Sequence, residues 1–240
     1  MKLISHNSNF QLLGIGFLFL IIAFIFYPTN ILIFDEWQYF QQGVAYSQGN
    51  PHLDSFHPIS GVNQPEPPGQ YPIGTPFFLA TIIFLFGKKA VFLQGIISLA
   101  GAYFFTTETL ENCHLDKKFA LILFLFFPAA FLSRTLMSDL PSVLMISCFL
   151  YLITLDVKSN FHFLGAGLIA GISILFREPN ILLVLPFLLS PFFKRETRNG
   201  IFGILGFSIA IGIRLLGSYW AFGNPFFMKD PGVSFSLNFF

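Results

Sequence analysis

Two adjacent carboxylates, Asp35 and Glu36, follow directly on the first apolar stretch of the chain, with Tyr39 one helical turn beyond. Neighbouring acids repel unless a cation, a metal or a proton intervenes, and a carboxylate whose proton affinity is raised in this way suits a general base. The plainer reading is an acid pair left in water at the edge of a membrane. A further acid, Asp139, sits in Met137-Ser138-Asp139-Leu140-Pro141, with Arg134 five residues earlier. Ser138 or Asp139 as cap and Pro141 in the first turn would start a helix and do nothing else, and snorkelling towards headgroups would account for Arg134. Arg177-Glu178-Pro179-Asn180 stands between two other apolar stretches. Its guanidinium offers planar, bidentate binding to phosphate or carboxylate, with pairing to Glu178 as the dull alternative. His52-x-Asp54-x-x-His57 has the residue types of a metal site, but its Pro-broken surroundings fix no geometry for three ligands. Gly165, Gly167 and Gly171 are spaced for close helix packing, and no strand precedes them as a dinucleotide loop would require.

The elements that must position these groups are apolar. Of 240 residues, 54% are hydrophobic, 35 are Phe and only 10% are charged. Soluble domains carry roughly 25% charged residues, so this chain cannot coat itself with a polar surface and must be solvated partly by lipid. The balance of 13 basic against 12 acidic side chains gives a net charge of +1, which excludes a nucleic-acid partner. Two cysteines, Cys113 and Cys148, are too few for a disulfide framework.

Crossing ~30 Å of hydrocarbon takes about 20 apolar residues. Stretches 10–28, 73–86, 90–110, 119–136, 140–155, 161–176, 181–193 and 201–216 approach this. The first lacks a small-residue cleavage site and reads as a retained anchor. Segment 73–86 is short and broken at its start by Pro72 and Pro76, which reads as interfacial or re-entrant. Leaving it out of the count puts Lys117, Lys118, Lys158, Lys194, Arg195 and Arg198 on the cytoplasmic side with Lys2, as the positive-inside rule favours, and leaves Lys88 and Lys89 outside against it. The expected fold is therefore all-α and polytopic, a single module over 1–240 with about seven transmembrane helices. A large first external loop, 31–89, holds juxtamembrane helices. Prolines at 51, 58, 65, 67, 68, 72 and 76 make its middle irregular. At its start Phe34, Trp37, Phe40 and Val44 recur at spacings of three and four, with Asp35, Gln38 and Gln42 opposite, which predicts an amphipathic helix in the headgroup plane that turns Asp35 to water. Asp35, Glu36, Arg134, Asp139 and Arg177 then share the extracytoplasmic face.

Taken in order, these motifs resemble the GT-C superfamily of multispanning glycosyltransferases, in particular the dolichyl-phosphate-mannose mannosyltransferases and bacterial aminoarabinose transferases. Asp35-Glu36-x-x-Tyr39 resembles the acidic motif of the first external loop. Gln70-Tyr71-Pro72-Ile73-Gly74-Thr75-Pro76 is similar to the Tyr-Pro-rich stretch before a juxtamembrane helix, and Ser133-Arg134-x-x-Met137-Ser138-Asp139-x-Pro141 to the second acidic motif. Leu175-Phe176-Arg177 and Ala221-Phe222-Gly223-Asn224-Pro225-Phe226 fit more loosely. The likeness runs from about 10 to 227.

The resemblance implies an enzyme of the cell envelope, in the plasma or inner membrane, that moves a sugar from a polyprenyl-phosphate carrier to a hydroxyl on a lipid, glycan or protein acceptor. It implies Asp35 as catalytic base, with Glu36, Tyr39, Tyr71, Arg134, Asp139 and Arg177 binding substrate. No cofactor follows with certainty; a divalent cation held at Asp139 is left open. Family members run well beyond 240 residues, so the resemblance also implies a chain lacking the carboxyl-terminal part. The rival expectations are a non-catalytic membrane subunit or remnant, and a transporter or flippase. The latter would favour internal repeats and charges at the bilayer midplane, neither of which the sequence displays.

Overall fold

The computed structural model describes residues 27–31, 34–51, 53–56, 63–66, 72–121, 123, 132–156, 159–190 and 197–225. The frame is helical: α1 (Phe34–Ser47), α2 (Gly74–Phe86), α3 (Leu93–Asn112), α4 (Asp139–Thr154), α5 (Asn160–Ser173), α6 (Leu185–Leu189) and α7 (Thr197–Phe222), with 3-10 turns at Lys88–Ala90, Lys117–Leu121 and Glu178–Val184. One departure from an all-α chain lies in the irregular middle of the loop 31–89. There Leu53–Phe56 pairs antiparallel with Asn63–Glu66, and Leu53 stands opposite Glu66.

Hydrogen bonds fix the direction of each helix. At one end of the α3/α4 pair the Gln94 Nε2 donates to the Met137 carbonyl at 2.9 Å; at the other the Asn112 Nδ2 donates to Thr154 Oγ1 at 3.4 Å, with Thr106 bonded to Ser147 between them. These helices are therefore antiparallel. Ser159 caps α5 by accepting from the His162 amide at 3.3 Å, and α5 returns the chain to the Asp139 end, where Asn180 Nδ2 reaches both Ser142 Oγ at 2.8 Å and the Ser173 carbonyl at 3.0 Å. The segment after Arg177 runs back as a 3-10 turn and the short α6, and α7 runs parallel to α5. Gly167 lies against the Gly203 carbonyl, Gly206 against Leu164, and Gly171 against Ala210. Two members of the predicted small-residue row thus make the close contact, while a Cβ on Gly165 would meet nothing within 4 Å.

The predicted apolar stretch 181–193 is not one α-helix. Pro179 opens the 3-10 turn, and Pro186, with no amide hydrogen to give, stands in the first turn of the five-residue α6. Half of segment 119–136 lies outside the described residues, as does 10–28 apart from its last two positions.

α2 enters and leaves at the same end of the helix assembly. The Gly74 amide donates to the Leu175 carbonyl at 2.8 Å, while Ile83 clusters with Val91, Phe92, Leu136, Leu79 and Tyr39. Gly87, at φ 82°, ends the helix by donating to the Ile83 carbonyl, and α3 starts from there. Among the described helices α7 contains the one stretch, Arg198–Ala221, long and apolar enough by length and composition to cross a bilayer; α2, α4, α5 and the Glu178–Leu189 segment are apolar but shorter.

Candidate functional site

α1 carries the first acids, and its buried side is not the one its apolar residues mark out. Glu36 (1% exposed), Tyr39 (3%) and Gln42 (1%) face inward, and Trp37 is 45% exposed. This corrects the expected helix at Gln42, which the spacing sets on the watery side with Asp35 and which is buried instead, while Phe40 and Val44 flank the core. The cause is polar. The Glu36 Oε1 accepts the Leu136 amide at 2.8 Å, so a carboxylate is buried with a backbone partner, and Gly43 lets α1 close onto Leu79 of α2. Asp35, by contrast, is half-buried at the edge of this face.

The strand of chain entering α4 is held from several sides. Leu136 is bonded by Glu36, Met137 by Gln94, and the Ser133 carbonyl lies on Gly95 of α3. Ser138 precedes α4 without capping it through its side chain. Its hydroxyl instead bonds the phenol of Tyr39. Asp139, the first residue of α4, pairs with Arg177. Both remain accessible, with side chains 26% and 46% exposed. The expected alternative of an Arg177–Glu178 pair does not form, because Glu178 faces Arg214 of α7 at 3.3 Å.

These contacts bring three segments far apart in sequence to one place. Burial pushes the Tyr39 phenol above its ordinary pKa, the Ser138 bond draws it down, and the charges of Asp35, Arg177 and Asp139 all act on it. The phenol is therefore neutral at physiological pH and available as donor and acceptor. Arg134 is exposed on the turn before α4. Tyr71 lies outside the described residues. The sequence reading passed over Gln94, and it passed over Arg214, whose position within an apolar helix was the available signal.

Among the described residues no group of three or more His, Cys, Asp and Glu assembles, and Asp139 already faces a guanidinium. His52 and His57 lie outside the described residues. Chemically, the arrangement offers a half-exposed acid, a guanidinium and two hydroxyls around one point: groups that accept a proton, hold an oxyanion and orient a polyol. No protein-family model, curated protein or solved structure matches the chain.

Proposed function

We propose that the chain is the membrane module of a GT-C-like glycosyltransferase, with about seven crossings and the Asp35–Asp139–Arg177 cluster on the extracytoplasmic side. The observation that carries this reading is that the Arg177–Asp139 ion pair and the Leu136–Glu36 hydrogen bond tie together segments from three separate motifs of the resemblance. The lipid setting is supported by what α7 presents. Ile201, Leu205, Ile209, Ile213, Leu216 and Trp220 form an exposed row at steps of three and four along one helix. An apolar row of that length has no stable place in water. The 24 residues from Arg198 to Ala221 extend about 36 Å, enough for a bilayer core.

In the reaction proposed, the acceptor hydroxyl oxygen bonds to the anomeric carbon as the bond from that carbon to the carrier's phosphate oxygen breaks. Asp35 takes the hydroxyl proton. The electron pair leaves with the phosphate, whose growing charge Arg177 offsets, with Arg134 nearby on the turn before α4. A positioned cation is worth most where charge develops, and a positioned base contributes about 10²- to 10⁴-fold. Tyr39 and Ser138, both buried and bonded to each other, hold the turn that carries Asp139 against α1. The test is purified protein supplied with polyprenyl-phosphate sugars. Asp35→Ala is expected to lower turnover by about 10²-fold or more; turnover equal to wild type would remove Asp35 from the role of base.

A further inference from the structure

We propose that Asp139 is a resident competitor for the phosphate received by Arg177: the incoming oxyanion displaces its carboxylate, and the return of that carboxylate expels the product phosphate. The inference rests on the transferase reading and gives its substrate site a means of turnover. The pair is the starting point. Arg177 holds Asp139 while almost half of its side chain stays open. Ion pairs this accessible are weak and readily exchanged, and a phosphate offers the guanidinium the same two-oxygen geometry with more charge. Glu178, the other acid beside Arg177, is taken by Arg214, so the competing carboxylate is that of Asp139.

Displacement does not strand Asp139. It opens a helix of 16 residues, whose positive end favours a carboxylate there with or without the guanidinium. Substrate and product then differ in a way that gives the competitor work. A sugar linked to polyprenyl phosphate is a phosphodiester with one negative charge, while the released monoester carries up to two because its second pKa lies near ~6. A bare guanidinium would hold product more tightly than substrate. A tethered carboxylate, always present beside Arg177, lowers the affinity for both alike and so shortens the stay of the more tightly held product.

The experiment uses the full chain in nanodiscs, titrated with polyprenyl phosphate and, separately, with inorganic phosphate. Asp139→Asn is expected to tighten binding of both by about fivefold, the upper end for an accessible ion pair, and to strengthen inhibition by polyprenyl phosphate. Arg177→Gln is expected to abolish binding, and the double variant to behave like Arg177→Gln. Asp139→Ser, which removes the charge and keeps an oxygen at the helix start, should tighten binding in the same way if the Asn variant misfolds. Unchanged or weaker phosphate binding in the Asp139 variants would overturn the proposal. Tightening for inorganic phosphate alone would overturn its lipid half. Tighter binding of both probes by a protein that transfers no sugar would uphold the competitor and sink the transferase reading instead.

Discussion

Glu36 and Asp35 are adjacent and chemically alike, yet their surroundings separate them. Glu36 is buried against the Leu136 amide, and Asp35 stays half-open among the groups around Tyr39. The sequence could nominate both acids, but which one turns inward depends on a backbone amide a hundred positions away, and no local pattern encodes it. The difference makes a prediction at the level of single atoms. Glu36→Gln keeps an oxygen that accepts from Leu136, and it is expected to cost about 1 kcal/mol or less and to retain most of the activity. Glu36→Ala leaves that buried amide without a partner, at a cost of about 1–3 kcal/mol. Thermal unfolding in detergent together with turnover checks both. A Gln variant that folds normally and is inactive would make Glu36 a proton acceptor and contradict its assignment as a structural tie.

Helix positions were the legible part of the sequence: the stretches 90–110, 140–155 and 161–176 each coincide closely with a helix of the fold, and 201–216 lies inside the longer α7. Hydrophobic runs determine them directly. What could not be read was which face of α1 turns inward and that 181–193 breaks, because hydrogen bonds and Pro186 decide those matters rather than mean hydropathy. The glycines show the same limit. Spacing singled out Gly165, Gly167 and Gly171 alike, and only packing tells that Gly165 touches nothing while Gly95, which no pattern marked, supports the Ser133 carbonyl beneath the Asp139 turn. Two chemically identical substitutions should therefore have opposite signs. Gly165→Ala gains helix propensity and is expected to stabilise by about 0.5–1 kcal/mol. Gly95→Ala drives a methyl into backbone, is expected to cost about 1–3 kcal/mol, and should lower activity by moving Ser138 and Asp139. Melting curves of the two variants, compared side by side, test this; equal shifts would mean that α3 and the turn before α4 do not meet as described.

For the molecule as a whole, the helix directions place the Asp139–Arg177 cluster at one end and the second group of charges at the other. Gln94, Leu136, Asp139 and Arg177 meet at the first end, while Asn112 and Thr154 mark the far end of the same helix pair. The 20 residues of α3 separate them by about 30 Å, the thickness of a hydrocarbon core. Cys113, exposed and directly after α3, is a native reporter for the far end, with Glu111 and Lys117 paired beside it. Trp37, exposed on α1, offers a position for a second reporter at the near end. If the helices cross a bilayer with the Tyr39 cluster outside, a membrane-impermeant maleimide applied to intact cells should leave Cys113 unmodified until the membrane is opened. In a Cys113→Ser background, Trp37→Cys should be labelled at once. The half-buried Cys148, on α4 between these ends, should react slowly in both preparations. Labelling of Cys113 and of a cysteine at position 37 from the same side would contradict the crossing of α3 and with it the lipid setting of the site. Reversed sidedness would keep the crossings but put the cluster on the cytoplasmic face and overturn the extracytoplasmic part of the proposed function.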